Sequence, residues 1–340
     1  MQAPPLRPFG CASSRTKRAL QALLLMKLTP RLALLLTLPP LMWAANAVVG
    51  RLMVGQVPPL TLNALRWALA ALLLLPLGWR VFRQPALIRE RLGWLLPVSL
   101  LGVGLYNALQ YLALVTSTPM NVTLLASSVP VWMLAVGTVF FGERARPRQL
   151  LAAAVGLCGV LTVITRGSLQ SLREVQFVAG DGYVIAAAIG WAFYSWLLAR
   201  PPASMQGDRR PGAAQGWDWA GVLLLQSVTG GAMAAVFSAA ELALTPAAVH
   251  WSPSAVAALV FVALGPAVLA YRCWGLGVAE AGPAMAAFFG NLTPLFAALM
   301  SVAVLGEQPQ PFHAVAFALI VASIAINSGL IPWRRPPRKS

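Results

Sequence analysis

The side chains of this 340-residue sequence that could bind metal or move protons are few: nine carboxylates, two histidines and three cysteines. Cys11, Cys158 and Cys273 are far apart, and His250 and His313 have no partner at ligand spacing. No metal centre, disulfide framework or cofactor is expected from such a set. Glu90, Glu143, Glu174, Asp181, Asp208, Asp218, Glu241, Glu280 and Glu307 all fall between long apolar runs or at their ends. No acid pair is available at the depth where hydrolysis or a buried proton relay would need one, so no enzyme is expected. Coupling through a helix-end carboxylate such as Glu280 stays open. Glu143 and Glu307 each follow a glycine. Each reads either as a gate or as a cap for the helix that begins at Pro147 or Pro311.

A different chemistry, the enclosure of a small organic molecule, is better supplied. Trp43, Asn46, Ala47 and Gly50 share one helix face by their i, i+3, i+4, i+7 spacing, and Trp191, Tyr194 and Ser195 repeat the theme. Tyr106 and Gln110 form a further aromatic–amide pair. Rings of this kind stack on a ligand while amides orient it. The bland alternative is helix packing and the aromatic belt at the membrane surface. Arg66 lies eight residues past Pro58, about 12 Å along a helix rising 1.5 Å per residue, deep enough to need a partner or a wet cavity. Arg272 is nearer a helix end, where it can snorkel. Pro130 and Pro294 are expected to kink their helices, each freeing a carbonyl four residues back, with Ser127 and Asn291 beside those carbonyls. Trp79, Trp94, Trp217, Trp219 and Trp333 are expected in the belt because they sit at the ends of runs.

These residues need long apolar helices to hold them. Apolar residues make up 59% of the chain and charged residues 10%, far from the ~25% charged residues of a soluble domain. Ten apolar runs have spanning length: 32–50, 58–79, 93–115, 120–141, 150–165, 180–199, 219–240, 254–276, 283–305 and 312–331. The expected class is therefore an all-α polytopic membrane protein whose partners are the bilayer and a small-molecule substrate. The net charge of +16 is read as membrane topology and not as nucleic-acid binding. Of the 25 basic residues, twenty fall on one set of loops and tails, three on the other set, and Arg66 and Arg272 within spans. This bias puts both termini in the cytoplasm.

The sequence also repeats. At an offset of 164 residues, Pro119 meets Pro283, Pro130 meets Pro294, Gly142-Glu143 meets Gly306-Glu307, and Pro147 meets Pro311. The loop 142–148 is basic and its counterpart 306–312 has no basic residue, as expected for two five-helix halves of opposite orientation. The expected organisation is a tail at 1–31, repeats at 32–166 and 180–331, and a basic tail at 332–340. Trp43-Ala44-Ala45-Asn46, the Arg66-Trp67 second helix, and the Pro130…Gly142-Glu143 and Pro294…Gly306-Glu307 repeat ends together resemble the EamA-type family of the drug/metabolite transporter superfamily. That resemblance implies a multipass carrier of the bacterial inner membrane that exports amino acids or other small metabolites. A channel-like facilitator on the same scaffold is the alternative. On the carrier reading, Trp43, Asn46, Arg66, Tyr106, Gln110, Ser127, Trp191, Tyr194 and Asn291 are the candidate substrate-binding residues. Pro130, Pro294, Glu143 and Glu307 are the candidate kink and gating residues.

Overall fold

The computed structural model describes residues 28–53, 55–113, 116–117, 119–168, 170, 177–245, 248–305 and 310–330. Glu307, Glu174, Trp333, most of the N-terminal tail and the C-terminal tail lie outside them. The described residues form helices and short connections, with no strand among them. In order they are α1 (Pro30–Leu52), α2 (Pro59–Gly78), and α3, which runs Leu92–Ser99, Leu100–Leu105 and Tyr106–Ala113. Next come α4a (Pro119–Ala126), α4b (Val129–Phe140), α5 (Pro147–Ile164), α6 (Ala179–Ala199) and α7 (Trp219–Leu244). The last are α8 (Pro253–Val262, Ala263–Leu269 and Ala270–Ala281), α9a (Pro283–Gly290), α9b (Leu292–Leu305) and α10 (Pro311–Ser328). Proline opens α2, α5, α8, α9a and α10, where its missing N–H costs nothing.

Nine runs among the described residues are long and apolar enough to cross a membrane. The expected span 120–141 is not a single helix. It is divided at Ser127-Ser128, so Pro130 opens α4b and does not kink a continuous helix. A proline ring clashes with the carbonyl four residues back. Here the chain turns before the clash arises, and Ser128 Oγ donates to the Leu125 carbonyl at 2.5 Å. The second half breaks in the same way at Asn291, just ahead of Pro294 in α9b.

Two further irregularities shape the interior. Leu100–Leu105 in α3 and Ala263–Leu269 in α8 are π-helical, and the latter contains Pro266. Such wide turns rotate the helix face that follows them and are common at functional sites. Around these helices α2 packs along α7 and α5 along α10, while α1 meets α8 and α9b, and α6 meets α3 and α4. Lipid tails are as apolar as leucine, so close helix contact rests on fit. At the α5–α10 seam a Cβ on Gly156 would stand 2.7 Å from Ser323 Oγ, so only glycine lets the helices approach this far.

The belt expectation fails at two tryptophans. Trp79 and Trp219 are exposed, but Trp94 and Trp217 are buried. Trp94 Nε1 donates to the Leu197 carbonyl at 3.0 Å, so its ring is docked on α6. Its place at the end of a run hid the fact that the run's neighbour covers it.

Candidate functional site

The broken and widened helices surround a cavity of about 250 Å³. Eight of the nine candidate binding residues line it: Trp43 and Asn46 from α1, Arg66 from α2, Tyr106 and Gln110 from α3, Ser127 beside the α4 break, Trp191 from α6, and Asn291 at the α9 break. Pro294 lines it as well. Tyr194 does not. Its ring packs 4.9 Å from Trp191 on the far side, and its hydroxyl donates to Gln226 Oε1 at 3.4 Å. Pro130 supports the break from outside the lining.

One wall is aromatic. Trp191 is its hub, with ring centres 5.3 Å from Trp43, 4.9 Å from Tyr106, 5.7 Å from Tyr271 and 5.3 Å from Trp274. Edge-to-face and tilted contacts of this kind hold rings rigidly. Polar edges are anchored too. Trp43 Nε1 donates to the Pro266 carbonyl at 3.2 Å, inside the π-helical stretch of α8, and Trp274 Nε1 donates to Ser195 Oγ at 3.2 Å. The Tyr271 hydroxyl donates to the Gly102 carbonyl in the other π-helical stretch. Tyr106 and Gln110 share a side-chain hydrogen bond.

The opposite feature of the cavity is an unpaired cation. Arg66 is only 4% exposed. Its Nη2 donates to Asn63 Oδ1 at 3.0 Å, and its guanidinium lies 5.1 Å from the centre of the Trp67 ring. Among the described residues no carboxylate lines the cavity, and Arg66 Nε has no hydrogen-bond partner. Asn291 Nδ2 is also buried without one. Both atoms are closed off from the cavity, and Asn291 Nδ2 lies toward Gly156 at the α5–α10 seam. Arg66 lines the cavity with a charge that no carboxylate in the described lining offsets, which is costly unless an anion arrives. Arginine's planar fork suits a carboxylate.

Tyr271, Trp274 and Pro266 were missed in the sequence. Their signal is a proline within the apolar run 254–276 followed by two aromatics at i+5 and i+8, a spacing off the regular helix face until a π-turn restores it.

Glu143 lies far from this chemistry. Its side chain is exposed and pairs with Arg200, tying α4b to α6. It does not cap α5, whose N-terminus is closed by Arg146 N donating to Gln149 Oε1 at 2.8 Å. The matching position before α10 uses Gln310 N and His313 Nδ1 at 3.0 Å. Among the described residues no group of three or more His, Cys, Asp or Glu side chains could hold a metal ion.

The profile of the EamA-like transporter family matches residues 31–165 and 178–329. An uncharacterized transporter of Archaeoglobus fulgidus is 26% identical over 297 residues, spanning 87% of this chain and 96% of that protein. The aromatic amino acid exporter YddG of Ancylobacter novellus is 25% identical over 298 residues, spanning 84% and 93%. A probable terminal-alkyne amino-acid exporter of Streptantibioticus cattleyicolor is 27% identical over 218 residues, spanning 63% and 65%. A crystal structure with 22% sequence identity superposes with a TM-score of 0.68, covering 88% of this chain and 97% of that one, so it shares the fold.

Proposed function

This chain belongs to the EamA-like transporter family, and from that premise we propose that it exports a small carboxylate-bearing metabolite, in the first place an amino acid. It is a multipass membrane transporter. In this reading it has ten spans in two inverted halves, residues 32–166 and 180–331, with both termini in the cytoplasm, and it works by alternating access. Several features support the two halves. Breaks at Ser127-Ser128 and Asn291, π-helical turns in α3 and α8, and reciprocal N-terminal caps on α5 and α10 recur at equivalent places. The packing of α2 on α7 and of α5 on α10 pairs equivalent helices.

The observation that carries the substrate class is Arg66. A buried guanidinium in a cavity whose described lining holds no carboxylate is completed by a ligand carboxylate. The aromatic wall then accepts the ligand's apolar body, and the 250 Å³ volume limits it to one small metabolite. Two relatives named as amino-acid exporters agree with this chemistry. A facilitator would need a continuous path. The Tyr194–Tyr271 layer behind the cavity favours a carrier instead.

The test is efflux from proteoliposomes loaded in turn with radiolabelled aromatic, aliphatic and acidic amino acids. Saturable efflux of at least one of them that is strongly reduced in Arg66→Gln is expected. Equal efflux from wild type and Arg66→Gln would remove Arg66 from the binding chemistry.

A further inference from the structure

Behind the aromatic wall lies a second cavity of about 330 Å³. Tyr271 lines both cavities, whereas Trp191 lines only the first and Tyr194 only the second. The layer between them is fixed at both ends. Tyr271 is held by the Gly102 carbonyl, Tyr194 by Gln226, and the two ring centres are 6.0 Å apart. A Cβ on Gly102 would stand 2.5 Å from the Tyr194 ring, so the glycine is what lets the layer close.

The second cavity has its own cation. Arg272, next in sequence to Tyr271, is half-buried and lies 4.7 Å from the centre of the Trp219 ring. It forms no ion pair among the described residues. The one carboxylate in the lining, Asp218, attracts Arg272 from beyond ion-pair distance while its Oδ1 accepts from the Ala220 and Gly221 N–H groups at the start of α7. Gly275 and Ala279 continue the Arg272 face of α8 with small residues, and a Cβ on Gly275 would meet no atom within 4 Å. The space before the guanidinium is therefore open. Its outer rim, with Pro201, Met205 and Arg210, comes from the connection between α6 and α7.

We infer that this vestibule is a second binding station for a small carboxylate, with Arg272 as its cation, reached from the side of the 200–218 connection and divided from the central cavity by Tyr194 and Tyr271. The inference rests on the carboxylate reading of the transported compound. An anion approaching an apolar layer loses hydration before it reaches Arg66, and a cation on the near side offsets that loss. Arginine serves here because its guanidinium is weakly hydrated and stacks on Trp219 while facing a ligand.

The test uses the purified full chain in detergent micelles, labelled with 5-fluorotryptophan. Trp219→Phe and Trp43→Phe assign the fluorine signals of the vestibule and of the central cavity. Phenylacetate is the probe and phenylacetamide its uncharged control. The Trp219 signal should titrate saturably with phenylacetate in wild type and in Arg66→Gln, and not with phenylacetamide. Arg272→Gln should weaken that titration about tenfold or more, with Arg272→Lys retaining more affinity, and Gly275→Leu should weaken it by filling the space. The Trp43 signal should respond in Arg272→Gln and not in Arg66→Gln. A Trp219 signal that ignores phenylacetate, follows phenylacetamide equally, or titrates unchanged in Arg272→Gln overturns the vestibule site. A silent Trp43 beside a responsive Trp219 overturns the central-cavity reading and leaves the vestibule standing.

Discussion

Arg66 is the residue on which the functional reading turns, because a buried charge needs a reason. Its Nη2 has Asn63, its face has Trp67, and its Nε has no partner among the described residues. Hydrogen bonds to charged groups contribute ~1.5–3 kcal/mol, so Arg66→Gln should lower transport kcat/KM by about ten- to a hundredfold at normal expression. Arg66→Lys should fall between, since it keeps the charge and loses the planar fork. Undiminished transport in both variants would make Arg66 a packing residue. Asn291→Ala removes a single neutral donor and should cost about three- to tenfold. Trp191 and Trp79 make a matched pair for the aromatic wall. Trp191→Ala opens the hub of the cage, whereas Trp79→Ala alters an exposed ring stacked under Arg83. A large effect at Trp191 and a small one at Trp79 on a transported amino acid are expected, and equal effects would place the ligand elsewhere.

At the scale of the helix, the cavity exists because four elements are irregular. Gly102 in the π-helical part of α3 is one of the tight points, facing Tyr194 at a distance no Cβ tolerates. Gly102→Ala should therefore destabilise the fold by about 1–3 kcal/mol, the usual range for overpacking. Gly93→Ala in the same helix meets open space and should leave the melting temperature of the detergent-solubilised protein unchanged. Equal melting temperatures for the two variants would show that the Tyr194 layer can relax at no cost. The sequence made the helices and most of the lining legible, since depth and i, i+3, i+4 spacing put Trp43, Asn46 and Trp191 on inward faces. It concealed what the irregularities did. Pro130 and Pro294 announced distortion, but whether a proline bends a helix or opens a new one depends on how the preceding turn is satisfied, here through Ser128. Tyr271 and Trp274 went unread because a π-turn adds a residue and resets the face, which a 3.6-residue period cannot reveal. Trp94 looked like a belt residue until its neighbour α6 was placed beside it.

For the whole molecule, the arrangement of two cavities on either side of one aromatic layer gives the proposed alternating access a physical form. Movement of Tyr194 and Tyr271 would join the cavities, and their hydrogen bonds to Gln226 and to the Gly102 carbonyl hold the layer shut in this state. The proposed inverted halves predict that reporters fused after Arg148 and after Gln310 lie on opposite sides of the membrane. Reporters on the same side would contradict the two-half architecture. In the proposed function, an aromatic cavity with Arg66 as its cation carries a small carboxylate by an alternating cycle. Counterflow in proteoliposomes measures it most directly. Vesicles loaded with an excess of an unlabelled amino acid should transiently accumulate the labelled one, the overshoot should be abolished by competing carboxylates but not by the corresponding amides, and its initial rate should fall about ten- to a hundredfold in Arg66→Gln. A labelled amino acid that equilibrates without overshoot in the wild type, or an overshoot that is undiminished in Arg66→Gln, would contradict that function.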